Sequence, residues 1–416
     1  MAADKGGGSA DPHEAQNRPA FLELFFDLAF VFVLTALAEK LFAQLSWSGA
    51  GQTLVLLLAF TLLWAQTSWA GDLVGPTILL PRVLWVMVGV LVMGAMAGEA
   101  YGSRGLQFAL TYVAIHLGTG LYMLLFAPPT LRTRNLRILF WFALTGVGWL
   151  VGGVETGTTR EVLWAAAIVL EYVGTILDWP APGSWRPLPG RDQRIVGERV
   201  AERYRQFVII ALGVSILVTG NAYARTPEHT IGHAEALVAV FLIKVLIWRI
   251  YSYRAGEMMA TTIAGSADPA QLNKITAFLH LVMVAGIVGM ATTSRLVIDR
   301  PFGDTPTAWA AVIIGGPAVF LIGRVALAYV VFTQINWSLV GALVLLGGLA
   351  PATALLPPVT VAIVVVVILL GMGMASAIEY RQAPVPTPHG GRARSRGDTE
   401  TSRSADGPPH GDRGRP

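Results

Sequence analysis

The sequence predicts an all-α, polytopic membrane protein with about twelve transmembrane helices, and its composition is the first reason. Of the 416 residues, 54% are hydrophobic and only 13% are charged. A typical soluble domain carries about 25% charged residues, so a chain of this composition would expose too much apolar surface to water. The second and third reasons are the regular recurrence of apolar stretches and the uneven distribution of the basic residues between them.

The apolar stretches are long enough to cross a bilayer, which takes about 20 residues of helix. We expect twelve helices, near residues 20–42, 50–70, 81–100, 106–127, 136–153, 161–178, 206–224, 233–252, 275–298, 308–331, 336–356 and 358–379. The last two are joined by Leu356, Pro357 and Pro358, and the prolines predict a break because they cannot donate a backbone hydrogen bond. A kink within one helix would reduce the count to eleven.

Polar segments flank and divide the helical region. Residues 1–19 and 380–416 hold too few apolar side chains to bury a core and are predicted to be disordered tails. The start of the chain lacks the basic segment and small-residue cleavage site of a signal peptide, so we expect the first helix to be retained. The longest loop, 179–205, separates a first six-helix half, 20–178, from a second, 206–379.

The basic residues predict the orientation, because cytoplasmic loops of membrane proteins are enriched in Lys and Arg. With the N-terminus in the cytoplasm, 22 of the 30 basic residues lie on the cytoplasmic side and six on the other. We therefore expect a multi-pass protein of the inner or plasma membrane with both termini in the cytoplasm. Attraction to anionic lipids explains the arginines of the C-terminal tail, and no nucleic-acid partner is expected.

The two halves resemble each other weakly. LLWAQTSWAGDLV at 62–74 resembles LIWRIYSYRAGEMM at 246–259, and RVLWVMVGVLVMGAMAG at 82–98 resembles KITAFLHLVMVAGIVGM at 274–290. Each half has an even number of spans, so the two would insert in the same sense, as the parallel repeats of some secondary transporters do. Two six-helix parallel repeats are therefore predicted, with chance likeness between apolar helices as the alternative.

Two carboxylates interrupt the first apolar stretch, in the run LELFFDLAFVFV at 22–33. A carboxylate at membrane depth costs about 2.5–3.5 kcal/mol, and Glu23 and Asp27, four residues apart, share one helix face. One interpretation is a structural pair that neutralises Arg203 and Arg205, which open the seventh span. The other is a proton- or cation-coupling site that faces a hydrated interior.

Three further charged residues lie deeper, namely Glu171 in the sixth span, Lys244 in the eighth and Arg324 in the tenth. A charge at this depth is too costly without a partner. We therefore expect Glu171 to form an ion pair with Lys244 or with Arg324.

Charges also gather just before the seventh span. Glu202 can neutralise Arg205 one turn later, and Arg203 lies between them. The segment is predicted to be an interfacial, amphipathic start of the helix. A gate that closes against Glu23 is the functional alternative.

Two histidines lie within spans, His116 in the fourth and His280 in the ninth. Each is interpreted as a hydrogen-bonded packing residue, and the alternative is a proton relay with Glu171. Neither belongs to the His-x-x-x-His or Glu-x-x-His spacing that favours a metal ion, and the chain has no cysteine. We therefore expect no metal, no cofactor and no disulfide.

Three stretches resemble one family. LELFFDLAFVFVL at 22–34 resembles the N-terminal signature of the bacterial low temperature requirement protein A (LtrA) family. ERVAERYRQFVIIALGVSILV at 198–218 and AFLHLVMVAGIV at 277–288 resemble two further family segments, the latter with His280 at its histidine. The likeness covers about residues 18–379 and implies a multi-pass membrane protein linked to growth in the cold.

The chain departs from the family pattern at several polar positions. Val214 stands where the resemblance leads us to expect a glutamate, and Tyr251, Ser252 and Tyr253 stand for a Tyr-Phe-Asp sequence. His116 stands in the fourth span where the resemblance leads us to expect a basic residue. The resemblance therefore implies a divergent member with an altered polar centre.

These features favour a secondary-transporter-like permease for a small solute or ion, coupled to protons or cations. It would have a central cavity between the halves, lined by Asp27, His116, Glu171 and His280. A membrane-embedded enzyme acting on a lipid or isoprenoid is less favoured, because the chain lacks an Asp-rich diphosphate motif and a nucleophile elbow. A structural or stress-related membrane protein, whose polar residues only hold the bundle together, is the other alternative. The expected partners are the lipid bilayer and the transported solute.

Overall fold

The computed structural model describes residues 12–71, 73–181, 193–252, 262, 266, 269–333 and 335–382. The described residues form twelve α-helices and contain no strand. The helices are α1 (Pro12–Ala43), α2 (Trp47–Gly71), α3 (Pro76–Met96), α4 (Gly105–Phe126), α5 (Arg132–Val154), α6 (Gly157–Ile176), α7 (Gln193–Ala224), α8 (Ile231–Ser252), α9 (Pro269–Asp299), α10 (Thr307–Phe332), α11 (Trp337–Leu349) and α12 (Pro358–Gln382). The predicted all-α fold class is confirmed.

Within the described residues, ten of these helices are long and apolar enough to cross a bilayer. The other two are α1 and α6, whose apolar stretches contain charged residues. Glu23 and Asp27 lie within α1, and Arg160, Glu161 and Glu171 lie within α6. A chain with this many apolar helices is a multi-pass membrane protein, as the composition predicts.

Two helices begin earlier than the apolar pattern indicates. α1 begins at Pro12, within the segment predicted as a tail, and α7 begins at Gln193, within the predicted linker 179–205. The added turns of α7 are polar but rich in Glu and Arg, which favour helix. Hydropathy marks the lipid-embedded part of a helix, so it misses turns of this kind. Residues 1–11, 182–192 and 383–416 lie outside the described residues, and the predicted disorder of the tails stays a prediction.

The chain breaks between α11 and α12 rather than kinking. A short 3-10 segment, Ala350–Leu355, follows α11, and Leu356 is extended. The Thr305 hydroxyl donates to the Leu356 carbonyl at 2.6 Å, and the Val359 amide donates to the Pro301 carbonyl at 3.1 Å. These contacts pair the backbone groups that the break releases from helical hydrogen bonding, so α11 and α12 are separate elements.

The same helix pairs are in contact in the two halves. In the first half α1 packs on α2 and α3, α3 on α4, α4 on α5, α5 on α6, and α6 on α2. The second half has the corresponding pairs α7–α8, α7–α9, α9–α10, α10–α11, α11–α12 and α12–α8. The parallel repeat stays a prediction, and this scheme is what a parallel repeat would produce.

Helix α1 lies at the boundary between the halves. Besides its own neighbours α2 and α3, it packs on α7 and α9 of the second half. Helix α9 is in turn held closely against α10, because a Cβ added to Gly286 would lie 2.6 Å from the backbone nitrogen of Phe320. Only glycine allows such an approach of two backbones, as at other small-residue interfaces of membrane helices.

Candidate functional site

The side chain of Asp27 is completely buried and forms an ion pair with Arg203. Arg203 Nη1 donates to Asp27 Oδ2 and Arg203 Nη2 to Asp27 Oδ1, each at 3.2 Å. Trp64 Nε1 also donates to Asp27 Oδ1, at 2.8 Å. The guanidinium therefore binds the carboxylate with two parallel hydrogen bonds, an arrangement that is stronger and more directional than a single contact. The pair joins α1 of the first half to α7 of the second.

Arg203 makes further contacts around this pair. Its Nη2 donates to Ser68 Oγ at 2.9 Å, and its Nη1 lies 3.6 Å from Glu23 Oε2. The guanidinium also lies over the ring of Trp64, at 5.5 Å from the centroid. We call Glu23, Asp27, Trp64, Ser68 and Arg203 the interhelix cluster. Three helices, α1, α2 and α7, contribute to it.

Arg205 lies elsewhere, which corrects the expectation that it shares Glu23 and Asp27 with Arg203. Its Nη2 forms an ion pair with Glu202 at 2.7 Å, and both side chains are about half exposed. Two residues along a helix are about 200° apart, so Arg205 faces away when Arg203 faces α1. Glu202 is therefore the partner of Arg205 on the outer face of α7.

Aromatic rings connect the interhelix cluster to His280. Tyr204, next to Arg203, accepts a hydrogen bond from Trp69 Nε1 at 3.1 Å and stacks on the His280 ring at 5.4 Å between centroids. His280 Nδ1 lies 2.7 Å from the Thr276 carbonyl, which can only accept, so Nδ1 carries the proton. In the neutral ring, Nε2 then accepts from the Tyr251 hydroxyl at 3.2 Å. Both ring nitrogens of His280 thus have partners.

Glu171 is bound within its own half. The Tyr112 hydroxyl donates to Glu171 Oε2 at 2.5 Å, and Trp149 Nε1 donates to Oε1 at 3.0 Å. The expected ion pair of Glu171 with Lys244 or Arg324 is wrong. Helix α6 packs on α5 and α2, whereas Lys244 and Arg324 belong to α8 and α10, which lie in the second half.

Lys244 and Arg324 have other neighbours. Lys244 Nζ is buried and donates to the hydroxyl of Ser294 at 2.6 Å and to the Val240 carbonyl at 2.9 Å. Arg324 is buried on α10. Oxygen atoms of neutral groups therefore replace the expected carboxylate at Lys244.

His116 belongs to the same region as Glu171. Its ring stacks on Phe142 at 3.8 Å between centroids, and the edge of Tyr112 contacts it at 4.5 Å. Tyr112 therefore connects His116 to Glu171 through its ring and its hydroxyl. Among the described residues no hydrogen bond joins the His116 ring to Tyr112, so these contacts by themselves give a proton no path from His116 to Glu171.

The four residues expected to line one central cavity do not do so among the described residues. A cavity of about 50 Å³ is lined by His116 but by none of Asp27, Glu171 and His280. Asp27 and His280 belong to the neighbourhood of α7, and Glu171 and His116 to α4–α6. They are buried in protein rather than exposed to lipid, but they form separate groups. No cluster of His, Asp and Glu suited to a metal ion is found in the described part of the chain.

Sequence reasoning missed the neutral partners that complete these groups. Trp64 and Ser68 lie four residues apart on α2, so they share the face that meets Asp27 and Arg203. Tyr112 and Trp149 provide the two donors to Glu171. The four-residue spacing of Trp64 and Ser68 was a usable signal, but tryptophan and tyrosine in a membrane helix are more often interfacial anchors.

The chain is similar to known proteins over most of its length. Residues 18–374 match the family described as Bacterial low temperature requirement A protein (LtrA). An uncharacterized protein of Rhizobium meliloti is 33% identical over 318 residues, which is 74% of this chain and 76% of that protein. No solved structure matches the chain.

Proposed function

The chain belongs to the bacterial low temperature requirement A family, and from that premise we propose a secondary-transporter-like permease for a small solute, coupled to protons or cations. The observation that carries the proposal is the buried ion pair of Asp27 with Arg203, which joins the first helix of one half to the first helix of the other. The corresponding helix contacts within the two halves support the parallel six-helix repeat on which the proposal also draws.

An ion pair is an expensive way to join two helices. Charges in a membrane interior cost several kcal/mol, and apolar side chains of similar size often stabilise a protein at least as well. The pair does offer something that apolar packing does not, namely a contact that ligands can break. A proton on Asp27, or a cation bound to its carboxylate, would weaken the attraction to Arg203 and allow α1 and α7 to separate.

The distribution of basic residues predicts the side of the membrane on which this separation of α1 and α7 would open the protein. Asp27 lies closer to the predicted cytoplasmic end of the apolar stretch of α1 than to its other end, and Arg203 lies just before the apolar part of α7, so both are on the predicted cytoplasmic side. The proposal therefore places the protein in the inner or plasma membrane with both termini in the cytoplasm. In the proposed mechanism the ion pair closes the pathway on that side.

The test is proton flux into proteoliposomes that contain a pH-sensitive dye, measured with a panel of amino acids, sugars, carboxylates and metal cations. Asp27→Asn keeps hydrogen-bonding atoms for Trp64 and Arg203 but cannot carry a titratable charge. We expect solute-dependent flux with the wild type and its loss with Asp27→Asn. The matched control is Asp304→Asn, at an exposed loop residue, which should leave the flux unchanged.

A non-transporting structural membrane protein is the second candidate, favoured by the separation of Asp27, His116, Glu171 and His280 into groups without a shared cavity. It makes a different prediction for the same experiment. If no solute of the panel produces flux with the wild type, and Asp27→Asn only lowers the melting temperature, the permease proposal fails and the structural role stands.

A further inference from the structure

A small cavity lies between α2, α3, α4 and α5, on the predicted cytoplasmic side of the first half. Its volume is about 50 Å³. By the same kind of measure a cavity needs only about 10–15 Å³ to hold one water molecule, so this one has room for a group of a few heavy atoms. Its polar lining comes from Gln66, Arg82, His116, Thr119, Arg134 and Asn135.

Several hydrogen-bonding atoms of this lining have no partner in the described part of the chain. They are His116 Nε2, Arg82 Nε, Gln66 Nε2 and Thr119 Oγ1. His116 is 5% exposed and Arg82 is 7% exposed, so bulk water does not satisfy them. Buried polar groups almost always have partners, and each one left without a partner costs about 1–3 kcal/mol. The arginine and glutamine atoms can only donate.

Positive charges converge on the same space. Arg82 of α3 and Arg134 of α5 both line the cavity. Arg82 Nη2 donates to the Gln66 carbonyl at 3.1 Å. None of the described lining residues is acidic. Asp178 attracts Arg134 from nearby, but its carboxylate is bound to Lys274 Nζ at 2.6 Å.

We infer that this cavity binds the oxygen atoms of a phosphate group, either free in solution or at the head of a membrane lipid. Two arginines, with their forked donors, suit the tetrahedral oxygens of phosphate. The Gln66 amide, the Thr119 hydroxyl and His116, in the tautomer that carries its proton on Nε2, would supply the remaining hydrogen bonds. The inference is independent of the proposed transport, because the site lies in the first half and does not include the interhelix cluster.

The test is thermal unfolding of the purified full-length protein in detergent, titrated with inorganic phosphate and, separately, with chloride at equal ionic strength. A ligand that binds only the folded protein raises its melting temperature in a saturable way. We expect phosphate to do so with the wild type and chloride not to. Arg82→Gln and Arg134→Gln should each weaken the apparent affinity about tenfold or more, since each removes a charge-assisted hydrogen bond.

The matched control is Arg132→Gln. Arg132 lies on the same helix as Arg134, two residues earlier, and it is exposed. It should keep the wild-type response to phosphate, which separates loss of the site from loss of general positive charge. Arg82 is buried and Arg134 is partly exposed. If the Arg82→Gln variant fails to fold, Arg134→Gln still reports on the site.

A second titration distinguishes the two sources of phosphate. Delipidated protein is titrated with short-chain phosphatidylglycerol and with diacylglycerol, which lacks the phosphate. Saturable stabilisation by phosphatidylglycerol alone, lost in Arg134→Gln, would identify a lipid headgroup as the ligand. The inference is overturned if neither phosphate nor phosphatidylglycerol stabilises the wild type, or if both arginine variants respond as the wild type does.

Discussion

Arg203 is the residue on which the contact between the halves depends most. It satisfies both oxygens of the buried Asp27, binds Ser68 and lies close to Glu23. Loss of such a residue removes an attraction and also leaves a carboxylate buried without its counter-charge. The second effect is usually the larger one.

We therefore expect Arg203→Ala to lower the free energy of unfolding by about 3–5 kcal/mol. Arg203→Lys should lie between this variant and the wild type, because one ammonium group cannot bind both carboxylate oxygens in parallel. The control is Arg205→Ala, whose ion pair with Glu202 is about half exposed, and which should cost less than about 1 kcal/mol. Thermal or SDS-induced unfolding of the purified variants gives the comparison, and equal losses at Arg203 and Arg205 would contradict it.

The candidate residues also show why a charged residue in a membrane helix need not have a charged partner. Glu171 receives two hydrogen bonds from Tyr112 and Trp149, and Lys244 donates to Ser294 and to the Val240 carbonyl. Neutral donors and acceptors inside a bundle can replace solvent for a buried ionisable group. For this reason a search for opposite charges alone paired Glu171 incorrectly.

At the scale of elements, loops and helix ends depend on side chains from other helices. Arg160, at the start of α6, is 3% exposed and donates to the carbonyls of Ala100 and Gly102 in the loop before α4, and to those of Gly152, Gly153 and Glu155 at the end of α5. The last carbonyls of a helix have no partner within it. One arginine therefore completes the hydrogen bonding of two turns, which explains a buried cation without a carboxylate.

The contact of α9 with α10 gives a prediction at this scale. A Cβ at Gly316 would lie 2.9 Å from the Met290 backbone nitrogen, so Gly316→Ala should lower the free energy of unfolding by about 1–3 kcal/mol through overpacking. The adjacent Gly315 has no atom within 4 Å of an added Cβ. Gly315→Ala should therefore be neutral or slightly stabilising, because alanine favours helix by about 1 kcal/mol over glycine. Unfolding midpoints of the two variants in the same detergent test this, and equal midpoints would show that the helices can move apart at no cost.

At the scale of the whole molecule, α1 is attached to the second half at two points along its apolar stretch. The interhelix cluster lies nearer the predicted cytoplasmic end of that stretch. Towards the other end, Arg295 of α9 forms an ion pair with Glu39, and Thr292 donates to the Ala38 carbonyl at 3.1 Å. A permease that opens to one side at a time would have to break one of these two contacts while keeping the other.

The orientation of the molecule can be tested directly because the chain has no cysteine. Arg132 lies in an exposed position on the predicted cytoplasmic side, and Asp304 in an exposed position on the opposite side. In intact cells or spheroplasts, Asp304→Cys should react with a membrane-impermeant maleimide, and Arg132→Cys should not. Both should react after solubilisation in detergent, which serves as the control. If only Arg132→Cys were labelled in intact cells, the orientation of the protein would be the opposite of the predicted one.

Much of the fold could be predicted from the sequence, because a lipid bilayer constrains each segment according to its own composition. A stretch near 20 residues that lacks charges has to be a helix in a bilayer, since only a helix satisfies its own backbone groups there. Ten of the helices follow from this constraint. The break before Pro358 follows from its prolines, and the family resemblance follows from the N-terminal signature. The polar first turns of α1 and α7 could not be predicted in this way, because hydropathy identifies only the apolar part of a helix.

The partners of the buried polar residues were decided only by the packing of the helices. Asp27 and Arg203 are 176 positions apart, and the preference of Asp27 for Arg203 over Arg205 depends on which face α7 presents to α1. The two donors to Glu171 come from α4 and α5, and the two arginines of the small cavity come from α3 and α5. The cost of placing a charge in lipid can be calculated from its own segment, whereas the group that offsets this cost depends on how distant segments pack.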